Sequence, residues 1–436
     1  MRSTPAGADA GVAGSVGRLQ ALGKLGLLGC LYFSQGLPFG FFTQALPVLL
    51  RKQGLSLGAI GLSSLLAAPW ALKFLWAPLV DHHGSVRFGR RKSWIVPLQL
   101  AACVTLVALA FTLDLSPGAG EARRPLQGLF MAVFVLNLLA ATQDVATDGL
   151  AVDLLSIRER GLANGLQVAG YRVGMIIGGG VLLVLYERLQ VRGTFLVMAA
   201  LTALATLPVL FKREPTPLVR AVSGRPSWTA FVARPGGLRI ISLLLTYKAG
   251  DAFATGMLRP WLSDLGLSLA DVGWLLGSVG FIAGLLGALF GGLLLNFLTR
   301  RRALVTFGIL QVATLFAYIA LARQPAGAVV NYPLLYVACA AEHFTSGMAT
   351  AALFTCMMDW SEPSRAATDY TVQASTVVIA SGAASALAGL SAQHLGYFAH
   401  FSLATLLAAS SLIWVFRAFP LGTAAPASGQ AGRASE

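Results

Sequence analysis

The sequence predicts an all-α polytopic membrane protein with twelve transmembrane helices arranged as two six-helix bundles. Three observations support this fold class: 56% of the 436 residues are hydrophobic and only 11% are charged, twelve segments are long and apolar, and the two halves repeat one another. Soluble globular domains carry about 25% charged residues. The composition therefore argues against a soluble enzyme, a disordered regulator and a nucleic-acid-binding protein, although the net charge is +14.

The spans follow from length, because a helix needs about 20 mostly apolar residues to cross a bilayer. We expect a cytoplasmic tail over 1–24, an N-terminal bundle over 25–211, a cytoplasmic linker over 212–239, a C-terminal bundle over 240–419 and a disordered tail over 420–436. The predicted spans are 25–50, 56–80, 93–113, 127–153, 162–186, 194–211, 240–262, 270–297, 303–321, 332–358, 367–390 and 400–419.

The distribution of basic residues predicts the orientation. If both termini are cytoplasmic, 21 of the 32 Lys and Arg residues lie on the cytoplasmic side, 7 lie outside and 4 lie within spans. Cytoplasmic loops carry an excess of Lys and Arg. We therefore expect a multi-pass membrane protein with both termini in the cytoplasm.

Two pairs of matched segments indicate an internal duplication. Gly54-Leu-Ser-Leu-Gly-Ala-Ile-Gly61 leads into the second span, and Gly266-Leu-Ser-Leu-Ala-Asp-Val-Gly273 leads into the eighth. Basic turns follow the same two spans, Gly89-Arg90-Arg91-Lys92 and Thr299-Arg300-Arg301-Arg302. Parallel six-helix halves related by an axis along the membrane normal are the major facilitator architecture.

Polar residues within the spans predict a central cavity, since ionisable groups inside a membrane face the bundle interior or a partner. Arg172 has no interface within reach, and four in-span cations favour an anionic or oxygen-rich solute. Lys248 and Asp251 are three residues apart, so they form either a structural pair or part of a binding site. The predicted cavity residues are Gln35, Lys73, Gln167, Tyr171, Arg172, Tyr247, Lys248 and Asp251.

Three residues are candidates for proton coupling. Asp144 lies deep in the fourth span, and the neighbours Glu342 and His343 combine a buried carboxylate with an imidazole. Buried carboxylates and histidines are the groups that change protonation near neutral pH. Structural polar contacts are the alternative interpretation for all three.

We expect no cofactor, no metal site and no enzymatic activity. The four cysteines form no CxxC pair, and neither a Walker motif nor a nucleophile elbow is present. Transport energy, if needed, would therefore come from an ion gradient or a partner, with protons as the first expectation and sodium coupling or uniport as the alternatives. The expected partners are a small-molecule solute, the lipid bilayer and the proton gradient, with no nucleic acid, and the chain is expected to act as a monomer.

The turn Asp81-His-His-Gly-Ser-Val-Arg-Phe-Gly89-Arg90-Arg91-Lys92 resembles the signature of the loop between helices 2 and 3 in the major facilitator superfamily, with His82 in place of the usual Arg and a longer spacing. The resemblance implies a cytoplasmic gate of Asp81, Gly89, Arg90 and Arg91. An acidic end of the fourth span pairs with this turn, and Asp148 and Asp153 are the candidates.

Four further stretches resemble the AmpG-like permeases, a family that includes acetyl-CoA transporters. They are Lys73-Phe-Leu-Trp-Ala-Pro-Leu-Val-Asp81, Gln143-Asp-Val-Ala-Thr-Asp148, Gly170-Tyr-Arg-Val-Gly174 and Tyr247-Lys-Ala-Gly-Asp-Ala-Phe253. The resemblance implies an inner-membrane importer driven by protons, working by alternating access.

Segments in spans 1 and 11, Leu31–Pro47 and Ala367–Gln373, resemble the branch that imports ferric siderophores of the pyochelin and rhizobactin type. The first prediction for the substrate is therefore a ferric siderophore. An anhydromuropeptide of cell-wall recycling is the alternative, followed by acetyl-CoA or another anionic metabolite. A non-transporting membrane receptor is a less favoured class, because it predicts no repeat between the halves.

Overall fold

The computed structural model describes residues 7–52, 63–85, 87–113, 123–212, 214, 227–323 and 330–419. All regular elements in these residues are helices, which confirms the all-α prediction. The first matched octet, 54–61, and the C-terminal tail, 420–436, lie outside the described residues, as does most of the linker between the bundles.

Six helices, α1 to α6, form the first half of the chain. Pro38 lies within α1, just before a π-helical segment. Proline cannot donate the amide hydrogen bond of a regular helix, so the hydrogen-bond pattern of α1 is interrupted at this point. The bounds are Gly7–Gly40, Phe41–Ala45 and Leu46–Lys52 for α1; Ser63–Ala67, Ala68–Leu72, Lys73–Leu75 and Ala77–His82 for α2; Lys92–Thr112 for α3; Arg123–Leu154 for α4; Arg160–Met175 and Ile176–Val181 for α5; and Leu182–Phe211, which bends at Gln190, for the end of α5 and all of α6.

Six further helices, α7 to α12, form the second half. Ser268 begins α8 with a capping box, in which its hydroxyl accepts a hydrogen bond from the Asp271 amide. The bounds are Gly237–Tyr247, Ala249–Gly256 and Leu258–Asp264 for α7; Leu269–Trp274, Leu275–Gly280 and Phe281–Leu294 for α8; Arg300–Ala322 for α9; Tyr332–Asp359 for α10; and Ala366–Ala418, which bends at Gly396, for α11 and α12.

Seven helices among the described residues are long and apolar enough to cross a membrane, and one of these is the bent pair α11–α12. The remaining predicted spans, α2, α5, α7 and α10, are absent from this set. Helices α2 and α7 are broken into short pieces, while α5 and α10 carry polar side chains along their length. Each of these four helices contributes residues to the cavity described below.

The buried apolar clusters show how the two bundles meet. One cluster contains only residues of the first half, including Phe41 and Phe195, and another contains only residues of the second half, including Trp261 and Phe401. A third combines both halves, with Tyr32 beside α10 residues. This shared cluster lies towards the gate end, which we define as the end formed by the connections 83–91, 155–159, 295–299 and 360–365.

Glycines bring the backbones of α5 and α8 together near the same end. A Cβ atom added to Gly161 would lie 2.8 Å from the carbonyl oxygen of Gly292, and one added to Gly165 would lie 2.7 Å from that of Ala288. Neither position has room for a larger side chain without movement of the backbone. Small residues at such crossings allow close helix packing within membranes.

Candidate functional site

A cavity of about 740 Å³ lies between the two bundles. Its volume falls within the range of about 300–1,000 Å³ that is typical of small-molecule sites. Both halves contribute to its wall. The lining residues are Tyr32, Gln35, Trp70, Lys73, Asp144, Asp148, Gln167, Val168, Tyr171, Arg172, Met175, Thr255, Gly256, Leu258, Arg259, Leu276, Phe281, His343, Thr350, Phe354, Tyr370, Ala374, Val377 and Val378.

A buried charge cluster of Lys73, Asp144 and Asp148 forms part of the first-half wall. The Lys73 ammonium contacts the Asp144 carboxylate directly, and its Nζ lies 4.0 Å from Asp148 Oδ2. Tyr32 donates a hydrogen bond of 2.8 Å to Asp148 Oδ1, and Gln167 donates to the same oxygen at 3.5 Å. Removing one partner of a buried ion pair costs about 3–5 kcal/mol, so these side chains hold one another in place.

This placement joins residues that the sequence assigned to different roles. Asp148 was expected at the gate, but it lines the cavity beside Lys73 and Tyr32. Asp144, expected to couple protons, shares the same lysine. The irregular turn that begins at Lys73 directs this lysine across to α4, and nothing in the residue spacing of α2 indicates that turn.

An aromatic group stands next to the charge cluster. The rings of Phe39, Trp70 and Tyr171 lie 5.5 to 6.3 Å apart, with Trp70 nearly perpendicular to the other two. The Trp70 indole donates a 2.9 Å hydrogen bond to Asn137 Oδ1, which fixes its orientation. Gln35 lines the cavity nearby, and neither polar atom of its amide has a partner among the described residues.

Helix α5 also supplies Arg172, which faces the second half. Its guanidinium lies 5.2 Å from the ring centroid of Phe281 in α8. His343 of α10 lines the same side, and its Nδ1 lies 2.7 Å from Glu342 Oε2 and 3.0 Å from the Cys339 carbonyl. Glu342 itself is buried behind His343. Thus His343 reaches the cavity, while Glu342 contacts it through the imidazole.

The remaining predicted cavity residues, Tyr247, Lys248 and Asp251, do not line this cavity. Lys248 Nζ lies 2.5 Å from Asp251 Oδ2, and Ser346 donates a 3.0 Å hydrogen bond to the same carboxylate oxygen. Tyr247 donates its hydroxyl to the Leu304 carbonyl at 2.9 Å. The three residues therefore join α7 to α9 and α10, because their polar groups bond within the second bundle.

At the gate end, Asp81 of α2 connects the two halves. Its Oδ1 lies 2.7 Å from Arg91 Nη1 and 3.6 Å from Arg90 Nη2. Its Oδ2 accepts hydrogen bonds from the Thr368 amide at 2.7 Å and the Thr368 hydroxyl at 2.6 Å, at the start of α11. Arg91 Nε also lies 3.1 Å from Asp153 Oδ2. The predicted gate residues Asp81, Arg90, Arg91 and Asp153 are thus in contact.

Glycines make this contact possible. Gly89 has φ of +99°, a left-handed backbone conformation that disfavours other residues, and it lies against the Glu214 carboxylate. The Glu214 carboxylate accepts hydrogen bonds from the amides of Arg91 and Lys92 and so caps α3. Gly149 leaves room for Arg91, since an added Cβ would lie 2.8 Å from Arg91 Cζ.

A second set of ion pairs at the gate end was not predicted from the sequence. Asp359, at the end of α10, lies 2.6 Å from Arg300 Nε and 2.8 Å from Arg160 Nη1 of α5. Arg160 also donates to the Met358 carbonyl at 3.1 Å. The repeat between the two basic turns could have indicated these ion pairs. Arg91 pairs with the end of α4, and Arg300, at the equivalent place in the second half, pairs with the end of α10.

Comparisons with known proteins follow the same division of the chain. Residues 24–192 match the family described as Acetyl-coenzyme A transporter 1. Residues 240–435 match the family described as Major Facilitator Superfamily. The anhydromuropeptide permease of Escherichia coli K12 is 30% identical over 350 residues, covering 78% of this chain and 68% of that protein. An uncharacterised protein of Haemophilus influenzae is 30% identical over 402 residues, covering 89% and 93%.

Solved structures agree on the fold. The Escherichia coli fucose:proton symporter FucP has a TM-score of 0.68 at 12% identity, covering 91% of this chain and 98% of that chain. A bacterial homologue of the iron transporter ferroportin, in an outward-facing state, has a TM-score of 0.69 at 14% identity, covering 91% and 99%. Together with the sequence relatives, this likeness confirms the fold predicted from the repeat: the chain belongs to the AmpG-like permeases of the major facilitator superfamily.

Proposed function

We propose that this multi-pass membrane transporter imports anhydromuropeptides across the bacterial inner membrane, driven by protons. The observation that carries the proposal is the cavity of about 740 Å³ between the bundles, whose wall contains a buried charge cluster and the aromatic rings of Trp70 and Tyr171. Such a site offers an aromatic surface, amides and charges to a solute that combines a sugar with a peptide. Relatives named for that solute support the same assignment.

The charge cluster supports proton coupling by its composition. Two carboxylates, Asp144 and Asp148, face one ammonium, Lys73. Fully ionised, the cluster carries one excess negative charge in a buried site, and one proton neutralises it. Buried unpaired charge is costly. The cluster is therefore easier to enclose, when the cavity closes, with this proton bound than without it. Glu342 and His343 provide a second candidate on the opposite wall.

The contacts at the gate end support alternating access. Asp81, Arg160 and Asp359 join the two bundles there, whereas the two remaining large apolar clusters each belong to one bundle. The excess of basic residues assigns the gate end to the cytoplasm, with both termini on that side. On this assignment the structure is closed to the cytoplasm, and the two bundles are 25–211 and 240–419.

Two other substrates remain predictions. The ferric siderophore rests on the segments 31–47 and 367–373 alone, and the sequence relatives give it no support. Acetyl-CoA is favoured by the family match over residues 24–192 and by the cations of the cavity. Each of these solutes serves as a competing probe in the experiment that follows.

Uptake into right-side-out membrane vesicles tests the proposal. Vesicles from a host that lacks its own permease, with this protein expressed, receive labelled anhydromuropeptide, ferric pyochelin or acetyl-CoA with and without an inward proton gradient. We expect gradient-stimulated uptake of the anhydromuropeptide only. Asp144→Asn should abolish the stimulation, while Asp264→Asn, a change at an exposed site, should retain it. Siderophore uptake without muropeptide uptake would overturn the assignment.

A further inference from the structure

Two of the four in-span cations are already neutralised within the protein. Lys73 contacts Asp144 and Asp148, and Lys248 contacts Asp251. Arg172 and Arg259 differ from them. Both line the cavity, and neither takes part in an ion pair within the described part of the chain. The cavity wall therefore contains two guanidinium groups with charge available to a ligand.

Arg172 is held in place without donating a hydrogen bond to any of the described residues. Its guanidinium packs near the Phe281 ring at 5.2 Å, and it fills the space beside Gly284, where an added Cβ would lie 2.2 Å from Nη1. Among the described residues, Glu342 and Asp251 contact other groups and form no ion pair with it. Glu342 contacts the His343 imidazole, and Asp251 contacts the Lys248 ammonium.

The second arginine reaches the cavity because α7 is broken. The helix is interrupted at Met257, where φ is −104° and ψ is 5°, and a new helix begins at Leu258. Arg259 stands in the first turn after this interruption. Its side chain is exposed to the open cavity rather than covered by neighbouring helices.

We propose that Arg172 and Arg259 form a carboxylate-binding end of the cavity, opposite the aromatic group of Phe39, Trp70 and Tyr171. The assignment rests on the proposed function and adds the orientation of the solute. Its ring packs against the aromatic group, and its free peptide carboxylates accept hydrogen bonds from the two guanidinium groups. Arginine matches carboxylates in a fork geometry that a lysine does not reproduce.

Two consecutive residues of α5 belong to different ends of the cavity. Tyr171 points to Trp70 and Phe39 of the first half, and Arg172 points to Phe281 of the second. A solute bound in this orientation contacts both bundles at once, through different chemical groups. Binding then depends on the distance between the bundles, which is the quantity that alternating access changes.

Transport kinetics with two matched solutes test the assignment. The labelled anhydromuropeptide is compared with a derivative whose peptide carboxylates are amidated, using vesicles that contain the wild type, Arg172→Gln, Arg259→Gln or Arg302→Gln, a control at an exposed site. We expect the wild type to have a KM about tenfold lower for the free acid, from charge-assisted hydrogen bonds. Each cavity variant should lose this preference, while KM for the amide stays unchanged and Arg302→Gln matches the wild type.

Other outcomes separate the orientation from the proposed function. An equal rise of KM for both solutes in Arg172→Gln, or no preference in the wild type, overturns the carboxylate site while transport stands. A second measurement uses purified protein and the dipeptide Glu-Glu at millimolar concentration, read as thermal stabilisation. Stabilisation that Arg172→Gln removes supports the site even if no muropeptide is transported, and equal stabilisation of both proteins overturns it.

Discussion

Replacing Asp81 by asparagine should open the gate end. The Asp81 carboxylate forms a 2.7 Å ion pair with Arg91 and accepts two hydrogen bonds from Thr368, at 2.7 and 2.6 Å. Its side chain is fully buried. The Arg91 pair lies within the first bundle and its loss affects the open and closed states alike, whereas hydrogen bonds to a charged group, such as those from Thr368, contribute about 1.5–3 kcal/mol. Because the contacts to Thr368 exist only when the bundles are together, their loss falls on the closed state.

The expected size of the effect follows from the energy. Every 1.4 kcal/mol changes an equilibrium constant about tenfold, so the ratio of open to closed molecules should rise about tenfold to a hundredfold. Ala352, which is 0% exposed in the cluster shared by both bundles, serves as the reporter. Ala352→Cys is introduced into a protein from which the four native cysteines have been removed.

Thiol labelling of purified protein measures how often this position becomes accessible. We expect Asp81→Asn to accelerate labelling by at least tenfold, whereas Glu362→Gln, which alters an exposed carboxylate at the same end, should change the rate less than threefold. Equal labelling rates in the two variants would refute the reasoning, because Asp81 would then contribute nothing specific to the closed state.

Three further predictions concern other contacts. Lys73→Met should lower transport more than tenfold, measured by vesicle uptake, since it leaves two buried carboxylates without a cation. Asp359→Asn should accelerate labelling of the same reporter, and combining it with Arg160→Gln should add little, because the two residues share one contact. Gly178→Ala should reduce the yield of folded protein in size-exclusion chromatography, since the added Cβ would lie 2.0 Å from the Leu37 carbonyl. Gly277→Ala, with open space around it, should not.

The sequence was most informative where function depends on local patterns. Repeated octets and basic turns predicted two related halves, and the acidic and basic residues of the 81–91 turn predicted a contact with the end of α4. Such features need only the periodicity of a helix and the sign of the charges. Asp148 and Asp153 were both candidates for that contact, and in the structure Asp153 contacts Arg91 while Asp148 lines the cavity.

The cavity was harder to predict, because its members depend on where helices are interrupted. Lys73 reaches Asp144 from an irregular turn, and Arg259 reaches the cavity from a break at Met257. Hydropathy treats both helices as continuous spans. It cannot show that Lys248 bonds within the second bundle while Arg172 remains open to a ligand, since both appear as single cations in apolar segments.

The gate end combines contacts that differ in how easily they separate. The glycine crossing of α5 and α8 brings the backbone of Gly161 against Gly292, and separating it loses many weak packing contacts gradually. The contacts of Asp81 with Thr368 and of Asp359 with Arg160 are lost over a short distance, and their charged groups regain water when the bundles separate. Rehydration offsets much of the cost of breaking them. A closed state stabilised largely by such contacts is therefore favoured by only a few kcal/mol, and the differential binding of a solute and a proton is sufficient to reverse it.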